Sequence, residues 1–279
     1  KDQLAYHYDF ASRVEQFLPE GALAYLAWSV ENTTYSTAFS GIDALGSTFC
    51  TLVAMLGDRL HATLHKPKHI YAVEKDAACQ AELLHHPSPP ECMFVNVSGF
   101  WCPELLQAFE AVLENGGKLT WHTLKDVIMS GRAVQEWNHC FCHKRRCRAR
   151  KAKHHWAGIP CIDWTPQNKA RGKAEGNTFK DFAAWASLRL LTQESTIVVE
   201  CSDKYDRSCL TQLFCDDAEG NTGNGPYIMF DDILCPTMFG TVGRRGRFWA
   251  ALFHKSIGGQ CSGWVEERFA VVQATVGPR

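Results

Sequence analysis

The sequence has no apolar run long enough to span a bilayer. Its opening, KDQLAYHYDFASRVEQ, is too polar for the apolar core of a secretory leader. Neither sign of charge dominates: 29 Lys and Arg against 30 Asp and Glu leave a formal net charge of −1. A balance that even neither demands nor excludes a polyanionic partner. No internal repeat is visible, which excludes a solenoid. A full G-x-G-x-x-G is missing from the first strand–helix turn, which counts against a nicotinamide- or flavin-dependent oxidoreductase. The 13 cysteines are odd in number and lack a regular framework spacing, which suggests a reducing compartment and mostly free thiols. There is no initiator Met, as expected of a processed or excised piece of a longer protein.

What is present is enough for one large α/β domain or two small ones, at 279 residues. Helical spacing of apolar residues from Ala5 to Val30 predicts one or two N-terminal helices. Strands are expected at Thr34 to Phe39, Ile70 to Val73, Cys92 to Val97, Thr196 to Val199 and Phe248 to Phe253. Helices are expected at Leu45 to His65, Ala77 to Leu84, Pro103 to Leu113 and Thr178 to Leu191. The stretch after Leu113, up to Trp156, reads as irregular and Cys/His-rich. Alternating strands and helices predict an α/β fold with a doubly wound, mostly parallel sheet. The expected organisation is an N-terminal helical extension (1–33), a core (34–256) with a Cys/His-rich basic insertion (139–155), and a C-terminal tail (257–279).

Ligands on such sheets sit at the carboxyl ends of the strands, and several chemistry-bearing residues fall there. STAFSGIDALG, with Phe39, Ser40, Gly41 and Ile42, turns through a glycine after the first strand. Such a turn lets backbone approach a cofactor, or is simply a structural turn. Glu74 ends the second strand in YAVEKD, where an acid can bind ribose hydroxyls or merely face water. In GIPCIDWTP, Pro160 holds Cys161 just after a strand, a position that suits a nucleophile or an inert thiol. Glu200 ends a later strand; a carboxyl buried there could stay protonated and act as an acid. Arg245 and Arg247, in GRRGRF, share one face of an extended chain and could hold a carbonyl oxygen or a phosphate, or form a basic edge.

In this order, the set F-S-G, A-V-E, G-x-P-C, strand-end Glu and R-x-R resembles the DNA (cytosine-5) methyltransferases, over about Thr34 to Phe253. The resemblance implies an S-adenosylmethionine-dependent, Rossmann-like methyltransferase core. It assigns Phe39, Ser40, Gly41, Ile42, Glu74, Asn96 and Pro160 to the cofactor, and Cys161, Glu200, Arg245 and Arg247 to catalysis of cytosine C5 methylation. DNA is the implied partner, with a nuclear location. Departures accompany it: Asn96 stands where the family usually has Asp, Cys201-Ser202 where it has Asn-Val, Gly243 where it has Gln, and Lys75 where an apolar residue is common. A catalytically impaired nucleic-acid-binding relative and an RNA cytosine-5 methyltransferase are the alternatives. Only about 25 residues follow Phe253, too few for a separate recognition domain, so target recognition is expected from another region or protein, or to have been lost.

Two features stand outside the resemblance. Cys140, Cys142, His143 and Cys147 in CFCHKRRC are ligand types suited to zinc, although the spacing is not that of a standard finger. A basic, Cys-containing loop is the competing reading. The run from His143 to His155, with Lys169, Arg171 and Lys173 beyond it, is either solvated surface or an edge facing nucleic acid.

Overall fold

A computed structural model describes residues 21–164, 178–217, 219–235 and 245–258. The strands are β1 (Thr34–Ala38), β2 (Lys68–Val73), β3 (Cys92–Phe94), β4 (Trp137–Cys140), β5 (Arg145–Arg148), β6 (His154–Gly158), β7 (Thr196–Ser202), β8 (Tyr227–Leu234) and β9 (Arg247–His254). They form one sheet in the order β5-β4-β3-β2-β1-β6-β7-β9-β8. The five central strands, β3 to β7 in that order, run parallel. An antiparallel hairpin closes each edge, β4–β5 on one side and β8–β9 on the other. No described helix is long and apolar enough to cross a membrane.

The longer helices are α1 (Ala22–Glu31), α2 (Ala44–Leu60), α3 (Ala77–His85), α4 (Pro103–Glu114), α5 (Trp121–Met129) and α6 (Phe179–Thr192). Successive strand residues face opposite sides of a sheet, and β1 shows that both sides are covered. Tyr35 meets Phe49 of α2, ring centroids 5.1 Å apart. Its neighbour Ser36 instead contacts His155 Nδ1 at 2.8 Å, and Trp185 of α6 donates to His155 Nε2 at 2.9 Å. That second bond fixes the imidazole tautomer: Nε2 accepts, so Nδ1 carries the proton and donates to Ser36. Burial holds His155 well below the ordinary histidine value, so it is neutral.

α6 is enclosed almost completely; Phe182, Trp185 and Leu188 pack inward, and the small Ala183, Ala184 and Ala186 allow close approach around its circumference. At its end, Arg189 and Glu194 form an ion pair with 1% and 0% of their side chains exposed. Arg189 also donates to Tyr71, while Thr192 and Tyr227 hydrogen-bond Glu194. This polar knot fixes how α6 enters β7.

The structure departs from the sequence reading in the stretch before Trp156, which holds α5, β4 and β5 rather than irregular chain. α5 has nine residues and buries only Leu124 and Ile128, too little periodicity to stand out. The hairpin turns through Phe141 to Lys144 without a glycine, and its strands are charged and largely exposed. β3 ends at Phe94 rather than Val97, because Asn96 caps a 3-10 turn (Val97–Phe100) through the Ser98 N–H at 2.9 Å. Strand β8 is additional. Residues 1–20 and 259–279, which hold most of the expected N-terminal extension and C-terminal tail, lie outside the described residues.

Candidate active site

The register of the parallel strands sets the site. Ala38 pairs with Val73 and with Ala157, and Ala157 pairs with Val199. One residue further along the four chains stand Phe39, Glu74, Gly158 and Glu200, side by side at the carboxyl edge of the sheet. This is where ligands bind in open α/β sheets.

The β1–α2 loop is tightly held. Phe39, Gly41 and Asp43 all have left-handed backbone, with φ of 53°, 53° and 56°. Only one of the three is glycine, so the surroundings must offset a cost of about 1 kcal/mol or more at each of the others. They do so through hydrogen bonds. Ser40 N donates to Val73 O at 3.3 Å and Gly41 N to Glu74 Oε2 at 2.7 Å. Asp43 caps α2 by accepting from Gly46 N at 2.9 Å. Glu74 is only 8% exposed. Its other oxygen accepts from Asp76 N at 2.8 Å, so each oxygen keeps a lone pair for a ligand hydroxyl.

Beside Glu74 opens a cavity of about 360 Å³, lined by Phe39, Glu74, Lys75, Asn96, Pro160, Cys161 and Asp181 among others. The loop residues Ser40, Gly41 and Ile42, expected at the cofactor, are not among the lining residues, and Ile42 is 63% exposed. The cavity thus joins residues from the ends of β1, β2, β3 and β6 with the start of α6.

Cys161 sits in a turn closed by Trp164 N donating to Cys161 O at 2.9 Å. Two anchors hold that turn. Asp163, 6% exposed, accepts from Thr178 N at 3.0 Å and from the Thr178 hydroxyl, tying the turn to the head of α6. Trp164 packs edge-on against Tyr205, centroids 5.0 Å apart. Upstream, Ile159 N donates to Glu200 O at 3.0 Å, and the Cys201 thiol contacts Ile159 O at 3.7 Å.

Glu200 is not part of the cavity lining, but its Oε2 would lie 3.7 Å from a Cβ on Gly158, which is. Its Oε1 meets Arg247 Nε at 2.6 Å. Burial raises the Glu200 carboxyl above the usual carboxylate range, while Arg247 and then Arg245 pull it back. Arg245 is exposed and precedes β9; Arg247 begins that strand opposite Ser202. Gly243, Lys169, Arg171 and Lys173 lie outside the described residues.

Sequence reasoning missed Asp43, Asp163, Thr178 and Asp181. Asp163 carried a usable signal, an acid two residues past the candidate nucleophile. Asp181 carried none, since a helix-start acid is ordinary; its contact with the Ser98 hydroxyl is tertiary.

The Cys/His-rich segment gathers differently from its linear order. The side-chain ligand atoms of Cys92, Cys140, His143 and Cys147 lie within 4.8 Å of one another. Cys142 is not among the four; it is half-buried and packs on the cluster of Ala72, Leu83 and Met93. In the basic run, Arg146 donates to Gln135 and Trp137 O, Arg148 pairs with Glu136, and Arg150 with Glu91.

No protein-family model matches the chain, and no curated protein does. Solved structures do. The Dnmt2 methyltransferase of S. pombe is 12% identical, covers 80% of this chain and 49% of its own, and gives a TM-score of 0.38. A putative DNA modification methyltransferase encoded within an E. coli prophage is 13% identical, with coverages of 81% and 48% and a TM-score of 0.44. The Entamoeba histolytica methyltransferase EhMeth is 10% identical, with coverages of 79% and 52% and a TM-score of 0.40. The chain spans about half the length of each. Solved structures of methyltransferases are thus what it is similar to, at low identity.

Proposed function

We propose that the chain binds S-adenosylmethionine in the cavity beside Glu74 and methylates C5 of cytosine in DNA. The observation that carries this reading is the common level of Phe39, Glu74, Gly158 and Glu200, which opens one cavity onto both the cofactor candidates and Cys161.

The residues present fit the cofactor. Glu74 offers buried carboxylate oxygens to ribose hydroxyls, and Asn96 offers an amide to an adenine edge. Phe39 supplies an apolar wall, and the volume lies within the range of small-molecule sites. When bound, S-adenosylmethionine supplies an electrophilic methyl group for C5.

The chain's own residues account for the rest. The Cys161 thiolate adds to C6 of cytosine, forming a sulfur–carbon bond and pushing the ring's electrons toward N3 and C5. A protonated Glu200 donates to N3 as that charge develops, and burial favours that protonated form. Arg247 holds the carboxyl in place, and Arg245 stands by for the O2 edge. Loss of the C5 proton to water restores the ring double bond and expels Cys161 as thiolate, and N3 returns its proton to Glu200. None of this can reach a stacked base, so the cytosine is flipped out.

Tritium transfer from labelled S-adenosylmethionine to DNA tests the reading. Cys161→Ser should abolish transfer and leave cofactor affinity within about twofold, because Cys161 meets the base rather than the cofactor. Normal transfer by that variant would remove the nucleophile assignment. Transfer to RNA and not to DNA would move the substrate to the alternative.

A further inference from the structure

We propose that Cys92, Cys140, His143 and Cys147 form a structural zinc site that clamps the β4–β5 hairpin to β3. The residues come from the start of β3, the end of β4, the hairpin turn and β5.

The distances are those of a coordination tetrahedron. His143 Nδ1 lies 3.7 Å from Cys92 Sγ, 3.3 Å from Cys140 Sγ and 3.5 Å from Cys147 Sγ. With zinc–sulfur bonds near 2.3 Å and zinc–nitrogen bonds near 2.0 Å, a tetrahedral N···S edge is about 3.5 Å. Hydrogen bonding does not account for the arrangement, since one imidazole nitrogen can accept from only one thiol at a time. None of the three cysteines is in a disulfide. Four protein ligands and no open position mark a structural rather than catalytic site.

The fold supplies a reason for a clamp at this place. β4 pairs with β3 through the single register pair Phe94–Cys140, supported by Phe141 N donating to Met93 O at 2.7 Å. So short a ladder holds a hairpin weakly. The same hairpin carries Asn138, whose amide donates to Asn96 O at 2.9 Å, so fixing the hairpin also steadies Asn96 at the cavity.

Cys92 replaces Cys142 in the set suggested by linear spacing, and this makes the test specific. Full-length protein purified without chelators should carry about one zinc per chain. Its zinc X-ray absorption should give three sulfurs near 2.3 Å and one nitrogen near 2.0 Å. Cys142→Ser should keep both stoichiometry and shell, and Cys92→Ser should lose the metal. Should Cys92→Ser fail to fold, the Cys142→Ser spectrum still decides, because a retained three-sulfur shell then requires Cys92. Absence of zinc, a two-sulfur or four-sulfur shell, or zinc lost from Cys142→Ser would overturn the proposal.

Discussion

Replacing Gly46 by alanine should destabilise the protein by about 2 kcal/mol, opposite in sign to what helix propensity predicts. Gly46 lies in the first turn of α2, where Gly→Ala ordinarily gains about 1 kcal/mol. Here an alanine Cβ would stand 2.7 Å from the Tyr35 hydroxyl and closer still to Asp43 Oδ2. Asp43 is 2% exposed, so its carboxylate cannot swing into water without leaving its partners. Those are the Gly46 N–H at 2.9 Å, the Tyr35 hydroxyl at 3.3 Å and His69 Nδ1 at 3.3 Å. Loss of the cap costs about 1 kcal/mol, and a buried tyrosine hydroxyl left without a partner about 2 kcal/mol. Together these outweigh the propensity gain. In urea unfolding the midpoint should fall by about 0.7 M with an unchanged slope of about 3 kcal/mol/M. A variant more stable than the parent would refute the reasoning, and with it the account of how the β1–α2 loop is held against Glu74.

Further outcomes follow from the same geometry. Arg189→Met should cost about 3–5 kcal/mol by stranding the buried Glu194 carboxylate; adding Glu194→Gln should recover part of it, and strictly additive single effects in unfolding titrations would contradict the pair. Burial lowers His69 to about 4, so the unfolded chain binds the proton first as pH falls. Stability should therefore drop as pH falls from about 6.5 toward 4, by about 3 kcal/mol from this residue, and His69→Gln should flatten part of that slope in thermal melts. Glu74→Ala should weaken S-adenosylmethionine binding by tenfold or more, about 1.4 kcal/mol or above in calorimetry; unchanged affinity would detach Glu74 from the cofactor. Asn96→Asp should tighten S-adenosylmethionine relative to its uncharged demethylated product, by about 1 kcal/mol at most at so exposed a position, and a shift the other way would count against the cavity.

The parallel core was legible because its strands are apolar and its helices long enough to show their period. Each strand-end residue therefore landed at the carboxyl edge without knowledge of the register. The hairpins were not legible. β4 and β5 are held by a turn without glycine and by contacts to β3 some 45 residues earlier in the chain. The thiol cluster shows the same limit. Spacing brought forward Cys142, its neighbour in sequence, whereas Cys92 arrives only through sheet pairing. Asp163 and Thr178 likewise meet across a segment whose ends the sequence does not bring together.

The departures from the motif pattern that the sequence resembles differ in charge and in strand direction. Cys201 follows Glu200 in β7, so the two face opposite sides of the sheet. Cys201 is 1% exposed and contacts the carbonyl of Ile159, the residue before Pro160, so this position supports the Cys161 turn. A thiol in place of an amide changes that support without altering the carboxyl beside it. Asn96 keeps the capping bond to Ser98 N that an aspartate would also make, while removing one negative charge from a cavity that already holds Glu74 and Asp181. Lys75 adds a positive charge to the same lining. An uncharged Asn96 and a cationic Lys75 both make the cavity less attractive to a cation than an acid and an apolar residue there would. None of these positions takes part in the ion pair between Arg247 and Glu200.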